Sequence, residues 1–236
     1  MSIPASAHIL ITGASSGIGR AIATSLAAPG RTLHLLGRDP QRLEQSAQAV
    51  QERGGQTQIH TIDLALPQDS DTRLRAIGGQ LRTLDVLVHS AGGVSLGPLA
   101  TAPVEDLDWM LRLNVRAPYV LTQAMLPALA RAQGQVVFIN SGAGLRAKAE
   151  WGQYAATKFA LKALADSLRE EVASDGVRVM SAFPGRTASP MQARVRQLEG
   201  KTYRAEDYMQ PEDLAQMVLQ ALQVNRRASV HEINIR

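Results

Sequence analysis

Cysteine is absent from the 236-residue chain, which excludes disulfides, cysteine–metal sites and a cysteine nucleophile. That absence fits a reducing cytoplasm, the compartment expected here. Aromatic residues are scarce, at 4%, so stacking platforms for nucleic-acid bases are not expected. Lysine is scarce too: only Lys148, Lys158, Lys162 and Lys201 occur, and every other cation among the 25 basic residues is arginine. Acids separate the cations, and no basic run of about five or more appears. A pI near 9.8 on a net charge of +4 therefore reports arginine content and gives no reason to expect a nucleic-acid partner. No apolar stretch approaches the roughly 18 residues of a membrane span. No basic segment precedes the first apolar run, Ile9-Leu10-Ile11, so an export signal is not expected either.

What is present is alternation. Short apolar runs at 8–11, 32–36, 58–62, 86–89, 136–140, 177–182 and 230–235 read as strands buried on both faces. Between them, 20–28, 41–53, 107–132, 154–174 and 211–223 have helical spacing and much alanine. Asp39-Pro40 reads as a helix cap with proline at the first helical position, and Gly54-Gly55 and Gly176 read as stops. Only 186–209 lacks periodicity, as binding loops and lids often do. Strand–helix alternation implies right-handed βαβ units. The expected fold is α/β: one domain over 1–236, a Rossmann-like doubly wound parallel sheet of about seven strands.

The first strand runs into Thr12-Gly13-Ala14-Ser15-Ser16-Gly17-Ile18-Gly19, and Arg20 opens a helix. Glycines let backbone N–H groups approach a pyrophosphate, and the helix N-terminus adds the positive end of its dipole. The spacing is Gly-x-x-x-Gly-x-Gly, and it resembles the short-chain dehydrogenase/reductase family in its compact single-domain form. The resemblance spans nearly the whole chain. It implies that Gly13, Ser15, Ser16, Gly17, Ile18 and Gly19 cradle the cofactor diphosphate. In this family an acid at the end of the second strand selects NAD(H); Gly37 stands there, followed by Arg38. A guanidinium fork suits a 2′-phosphate, so NADP(H) is favoured over NAD(H). Asp39 is the rival ribose ligand, although its capping role explains it. The resemblance also places Asp63 beside adenine, Ala91 and Gly92 against the cofactor, and Pro184, Gly185 and Thr187 over the nicotinamide, with Ser189 as an alternative to Thr187. Where the family has Asn-Asn-Ala-Gly, this chain has His89-Ser90-Ala91-Gly92, which leaves the bracing of the central strands open; His89 reads as a packed strand-end residue.

Tyr154-Ala155-Ala156-Thr157-Lys158 puts a phenol and an ammonium on one helical face. A nearby cation stabilises phenolate, so a lowered phenol pKa is expected. Ser141 closes the fifth strand thirteen residues earlier. Asn114 lies within a helical stretch, where its propensity is poor. These positions match the family's catalytic set. The resemblance implies that Ser141 polarises a carbonyl, Tyr154 moves the proton, Lys158 holds the nicotinamide ribose and tunes Tyr154, and Asn114 organises a proton-relay water. No metal is expected.

The substrate is expected to be a small carbonyl or alcohol, contacted by Gly93, Val94, Leu96, Gly142, Leu145, Trp151 and 186–209. Arginines and lysines in those segments raise the idea of an anionic substrate such as an acyl-carrier thioester, set against a loop balanced by Glu199, Glu206 and Asp207. Carrier-linked reductases tend to carry a basic residue before the glycine that ends the Tyr/Lys helix, and Asp175 stands there. A non-catalytic NADP(H)-sensing protein of the same fold is the other functional class. In relatives of this family the long helices corresponding to those around Asn114 and Tyr154 form subunit contacts, so the resemblance implies a homodimer or homotetramer.

Overall fold

The computed structural model describes residues 3–236. Seven parallel strands form one sheet in the order β3-β2-β1-β4-β5-β6-β7. They are β1 (His8–Thr12), β2 (Thr32–Gly37), β3 (Gln56–Thr61), β4 (Val86–His89), β5 (Gln135–Ile139), β6 (Arg178–Pro184) and β7 (Glu232–Ile235). The helices are α1 (Gly17–Leu26), α2 (Pro40–Gln51), α3 (Pro67–Gln80), α4 (Val104–Leu111), α5 (Ala117–Ala132), α6 (Gly152–Glu171), α7 (Pro190–Leu198) and α8 (Pro211–Gln223). This is the expected doubly wound sheet.

Alternation along the central strands divides the core. Ile9, Ile11, Val86, Val88 and Val137 pack with Ile22, Leu43, Leu214 and Val218 of α1, α2 and α8. Leu10, Leu87, Val136 and Phe138 point the other way, onto Leu74, Leu121, Met125 and Leu161 of α3, α5 and α6. The chain reverses its winding between β1 and β4, whose C-terminal ends part to open the crevice where such sheets bind ligands.

Four local expectations are corrected. The edge strand β3 begins at Gln56 and is largely exposed, because only one neighbour covers it. Helix α3 was not expected: its sequence is polar, and only Ser70, Leu74 and Ile77 are buried. The segment 186–209 is not irregular throughout, since Ser189 accepts from the Gln192 N–H and starts α7. The expected helix over 107–132 is also divided. Residues Arg112–Arg116 form a π turn between α4 and α5.

Candidate active site

The glycine loop leaves β1 with Gly13 at φ +67° and reaches Gly17 at φ +50°, both left-handed conformations that favour glycine. A Cβ on Gly13 would lie 2.8 Å from the Ala91 backbone, and one on Gly17 would lie 3.1 Å from Ser189 Cβ. The loop is thus wedged between the end of β4 and the segment leading into α7. Helix α1 starts here with no side-chain cap from Ser16 and no acid in its first turn. Its leading N–H groups therefore have no side-chain acceptor, as an anion site requires.

Thr12 answers the question raised by His89-Ser90. Its hydroxyl accepts from the N–H groups of Ser90 and Ala91, both at 3.1 Å, and so ties β1 to the segment after β4. His89 is buried, stacks on Phe138 and shares a 2.9 Å hydrogen bond with Thr122. Burial pushes its pKa down to about 3, so it packs as a neutral ring.

At the far end of the crevice, Asp39 is fully engaged. Its carboxylate accepts from the Arg42 N–H at 3.1 Å and pairs with the Arg42 guanidinium at 3.3 Å. Arg38 lines the crevice and has no side-chain hydrogen bond or ion pair among the described residues. A Cβ on Gly37 would sit 3.3 Å from both Ser15 Oγ and Leu43, so glycine there keeps the glycine loop close to β2. Asp63 reaches the crevice while its carboxylate accepts from the Ala65 N–H at 2.9 Å, which gives it a turn-forming role as well.

The four remaining candidates converge on the other half. Ser141 follows β5 and accepts from the Ala143 N–H at 3.1 Å. Tyr154 and Lys158 stand one turn apart on α6, both buried. Lys158 Nζ donates to the Ile139 carbonyl at 3.2 Å and lies 5.9 Å from the Tyr154 ring centre. Burial pushes the Tyr154 phenol up to about 12, against a hydrogen bond from Ser141 that works downward. This reverses the lowering expected from the Tyr/Lys spacing, because loss of hydration outweighs the Ser141 hydrogen bond that favours the phenolate. Burial pushes Lys158 down to about 8, which leaves it mostly charged at neutral pH. Asn114 sits in the π turn, fully buried. Its side chain accepts from the Gly93 N–H at 2.8 Å and donates to the Gly93 carbonyl at 2.9 Å and to Thr157 at 3.0 Å.

Pro184 ends β6, and Gly185 approaches the backbone of Arg236. Thr187 is buried, donates to the Gly185 carbonyl at 3.2 Å, and pairs with Met209 in a lone β-bridge. All the candidate catalytic and cofactor residues except Asn114 line one crevice of about 1360 Å³, and of the expected substrate contacts Gly93, Val94, Gly142 and Trp151 line it while Leu96 and Leu145 do not. Small-molecule pockets usually span about 300–1,000 Å³, so this one has room for a dinucleotide and a second molecule.

Comparison with known proteins fits this geometry. The family model for short chain dehydrogenase matches residues 7–200. The chain belongs to the short-chain dehydrogenase family. An uncharacterised oxidoreductase from Staphylococcus epidermidis is 31% identical, the match covering 96% of this chain and 95% of that protein. A Shigella flexneri structure of the same class, complexed with NADP, superposes with a TM-score of 0.86 at 31% identity, over 97% of this chain and 96% of that one. An alcohol dehydrogenase from the archaeon Thermococcus sibiricus, complexed with 5-hydroxy-NADP, gives a TM-score of 0.86 at 27% identity, over 98% and 96%. This short-chain dehydrogenase is thus an oxidoreductase. No helix among its described residues is long and apolar enough to cross a membrane.

Two residues of the site escaped the sequence reading. Asn140 donates to the Lys158 carbonyl at 3.1 Å and accepts from the Ser141 N–H at 2.9 Å, joining the end of β5 to α6. Thr157 donates to the Tyr154 carbonyl at 2.8 Å while receiving Asn114. The available signal was asparagine at a strand end, where it is a poor strand former. Thr157 was hidden inside the Tyr/Lys pentapeptide.

Proposed function

We propose that this short-chain dehydrogenase is one domain that interconverts a carbonyl and a secondary alcohol, with NADP(H) as cofactor and Tyr154 as the general acid/base. The observation that carries this reading is the meeting of Ser141, Tyr154 and Lys158 at the end of a crevice whose other end is a glycine cradle. The fit to the cofactor rests on Gly92. A Cβ there would enter the crevice 3.3 Å from Asn114 Oδ1 and 3.8 Å from Lys158 Nζ, so glycine keeps that wall clear for a flat ring system. Gly13, Ser15, Ser16, Gly17, Ile18 and Gly19 would hold the diphosphate, Asp63, Ala91 and Gly92 the adenine side and central wall, and Pro184, Gly185 and Thr187 the nicotinamide end.

When bound, the cofactor supplies or accepts the hydride. Ser141 holds the substrate oxygen. A phenol near 12 keeps its proton at neutral pH, which suits Tyr154 to donate to that oxygen during reduction. The Lys158 ammonium supplies the positive potential that offsets charge left on the phenol. Arg38, free of partners beside an engaged Asp39, supports NADP(H) over NAD(H). Apolar Tyr119 on α5 and Phe159 on α6 are exposed and support assembly with further copies of the chain.

Tyr154→Phe tests the reading. With a panel of ketones and aldehydes, NADPH oxidation should fall at least about a hundredfold, the scale of acid–base catalysis, while fluorescence titration still detects NADPH binding. Retained turnover in the phenylalanine variant would refute the role. Tight NADPH binding by the native protein with no turnover on any carbonyl would identify a non-catalytic binding protein.

A further inference from the structure

We propose that the substrate end of the crevice recognises a carboxylate carried by a short carbonyl substrate, through Lys148 assisted by Arg146 beside Trp151. The inference rests on the reading of Tyr154 as the residue that faces the reacting oxygen, and it names the class of substrate presented there.

The segment between Ser141 and α6 carries Arg146, Lys148 and Trp151, all lining the crevice. Lys148 Nζ stands 4.1 Å from the Trp151 ring centre, and the Trp151 ring meets Tyr154 edge-on at 5.9 Å. One aromatic ring therefore separates the ammonium from the phenol. That is the span of a few methylenes, so the matching anion sits close to the reacting carbon.

Glu199 is engaged: Arg186 donates two hydrogen bonds to it, and Arg196 reaches it at 3.4 Å. The loop is thus balanced around Glu199 through direct contact with those two arginines, while Lys148 and Lys201 act on it only through space. Lys148 and Arg146 have no ion pair among the described residues. Arg194, also on the wall, donates to the Gln197 amide oxygen and keeps its charge. Across the crevice the only nearby acid on the lining is Asp106, which holds the Ser95 hydroxyl at 2.6 Å. Arg146 and Lys148 are exposed on this wall, and a local excess of one sign of charge draws ligands of the other sign.

The geometry favours a carboxylate over a phosphate. The Arg186 fork, the group best shaped for phosphate, is filled by Glu199 from within the chain. The cations left unpaired on this wall are Lys148 and Arg146, and the phosphonate probe below separates a carboxylate from a phosphate there.

Matched probes test this. In the NADPH assay, 4-oxopentanoate is compared with its methyl ester and with 3-oxobutylphosphonate. The native protein should prefer the acid to the ester by about tenfold or more in kcat/KM, the worth of one well-placed charge. Lys148→Gln should bring that ratio near one through KM, and Lys148→Glu should invert it. Arg53→Gln, the same change in net charge before β3 at the opposite edge of the sheet, should leave the ratio alone. A readout independent of turnover is the quenching of bound-NADPH fluorescence by pentanoate against pentanamide. Pentanoate should bind more tightly, and Lys148→Gln should abolish the difference. Ester turned over as well as acid, or an acid preference that survives Lys148→Gln, would overturn the inference. A phosphonate preferred over the carboxylate would overturn the assigned class. Lys148-dependent pentanoate binding without turnover of any ketone would uphold the anion site and sink the carbonyl chemistry.

Discussion

Replacing Asn114 with alanine probes the joint on which the site depends. The Asn114 amide accepts from the Gly93 N–H and donates to the Gly93 carbonyl and to Thr157, all in a fully buried position. Alanine leaves both Gly93 backbone groups without their partner. Each buried polar group left unpaired costs roughly 1–3 kcal/mol, so Asn114→Ala should lose about 4 kcal/mol, a large share of an ordinary domain's stability. Thr157→Val removes two hydrogen bonds, the one from Asn114 and the one to the Tyr154 carbonyl, but Asn114 can still donate to Gly93; about 2 kcal/mol should be lost. Asn114→Asp keeps the acceptor for the Gly93 N–H but not the donor to the Gly93 carbonyl, and should fall between them. Urea unfolding followed by tryptophan fluorescence measures the order, and with a slope of about 3 kcal/mol/M the alanine variant should shift its midpoint by roughly 1 M. NADPH affinity should weaken as well, because Gly92 and Gly93 form the wall beside Lys158. An alanine variant no less stable than Thr157→Val would show that the Gly93 contacts carry no weight.

Two further outcomes follow from the same geometry. Arg38→Asp should cut the preference for NADPH over NADH by tenfold or more in kcat/KM, read by fluorescence with each cofactor; an unchanged preference would remove Arg38 from cofactor selection. Stability should also fall in mild acid. His8, His34 and His60 form a ladder across β1, β2 and β3, with ring nitrogens 3.4 and 3.3 Å apart. Burial, then the neighbouring His60 and His8, push His34 down to about 4, and burial lowers His60 too. The unfolded chain takes up these protons near pH 6.5 and the folded chain only later, so the stability is present above about 6.5 and is lost as pH falls toward 4. For His34 the loss is about 3 kcal/mol; His34→Leu should flatten the slope of melting temperature between pH 7 and 4.5, and an unaltered slope would refute the ladder's role.

The parts of this fold that were legible in the sequence share one physical property. Strands β1, β4 and β5 are covered on both faces and are written as continuous apolar runs. The edge strand β3 has a neighbour on one side only, so its residues Gln56-Thr57-Gln58-Ile59-His60-Thr61 carry no such pattern. Helix α3 hides for a related reason: Gly78 lets it press against the Ala124 backbone of α5, so few large apolar side chains are needed. In the site, Ser141, Tyr154 and Lys158 were legible because the chemistry demands their functional groups at fixed spacing. Asn140 and Thr157 were not, because they act by holding backbone groups of their neighbours, and many polar residues can do that. The pKa of Tyr154 was read in the wrong direction because burial belongs to the assembled layers and not to a pentapeptide.

Those holding contacts explain how rigid chemistry and adjustable specificity coexist. Lys158 is fixed to the Ile139 carbonyl of β5, and Asn140 returns a bond to the Lys158 carbonyl. Asn114 reaches Thr157, and Thr157 reaches the Tyr154 carbonyl. Strand β5, helix α6 and the π turn are thus stitched through the same turn of α6 that carries the phenol and the ammonium. None of these bonds uses the Tyr154 hydroxyl or spends the Lys148 charge. A side chain can be exchanged at 146, 148 or 194 without breaking a bond that positions Tyr154, since those residues stand on the loop before α6 and on the surface of α7. Substrate charge can therefore be changed on the outer wall while the proton donor stays in place, and the Lys148 variants should accordingly act through KM, whereas Asn114→Ala should damage the frame itself.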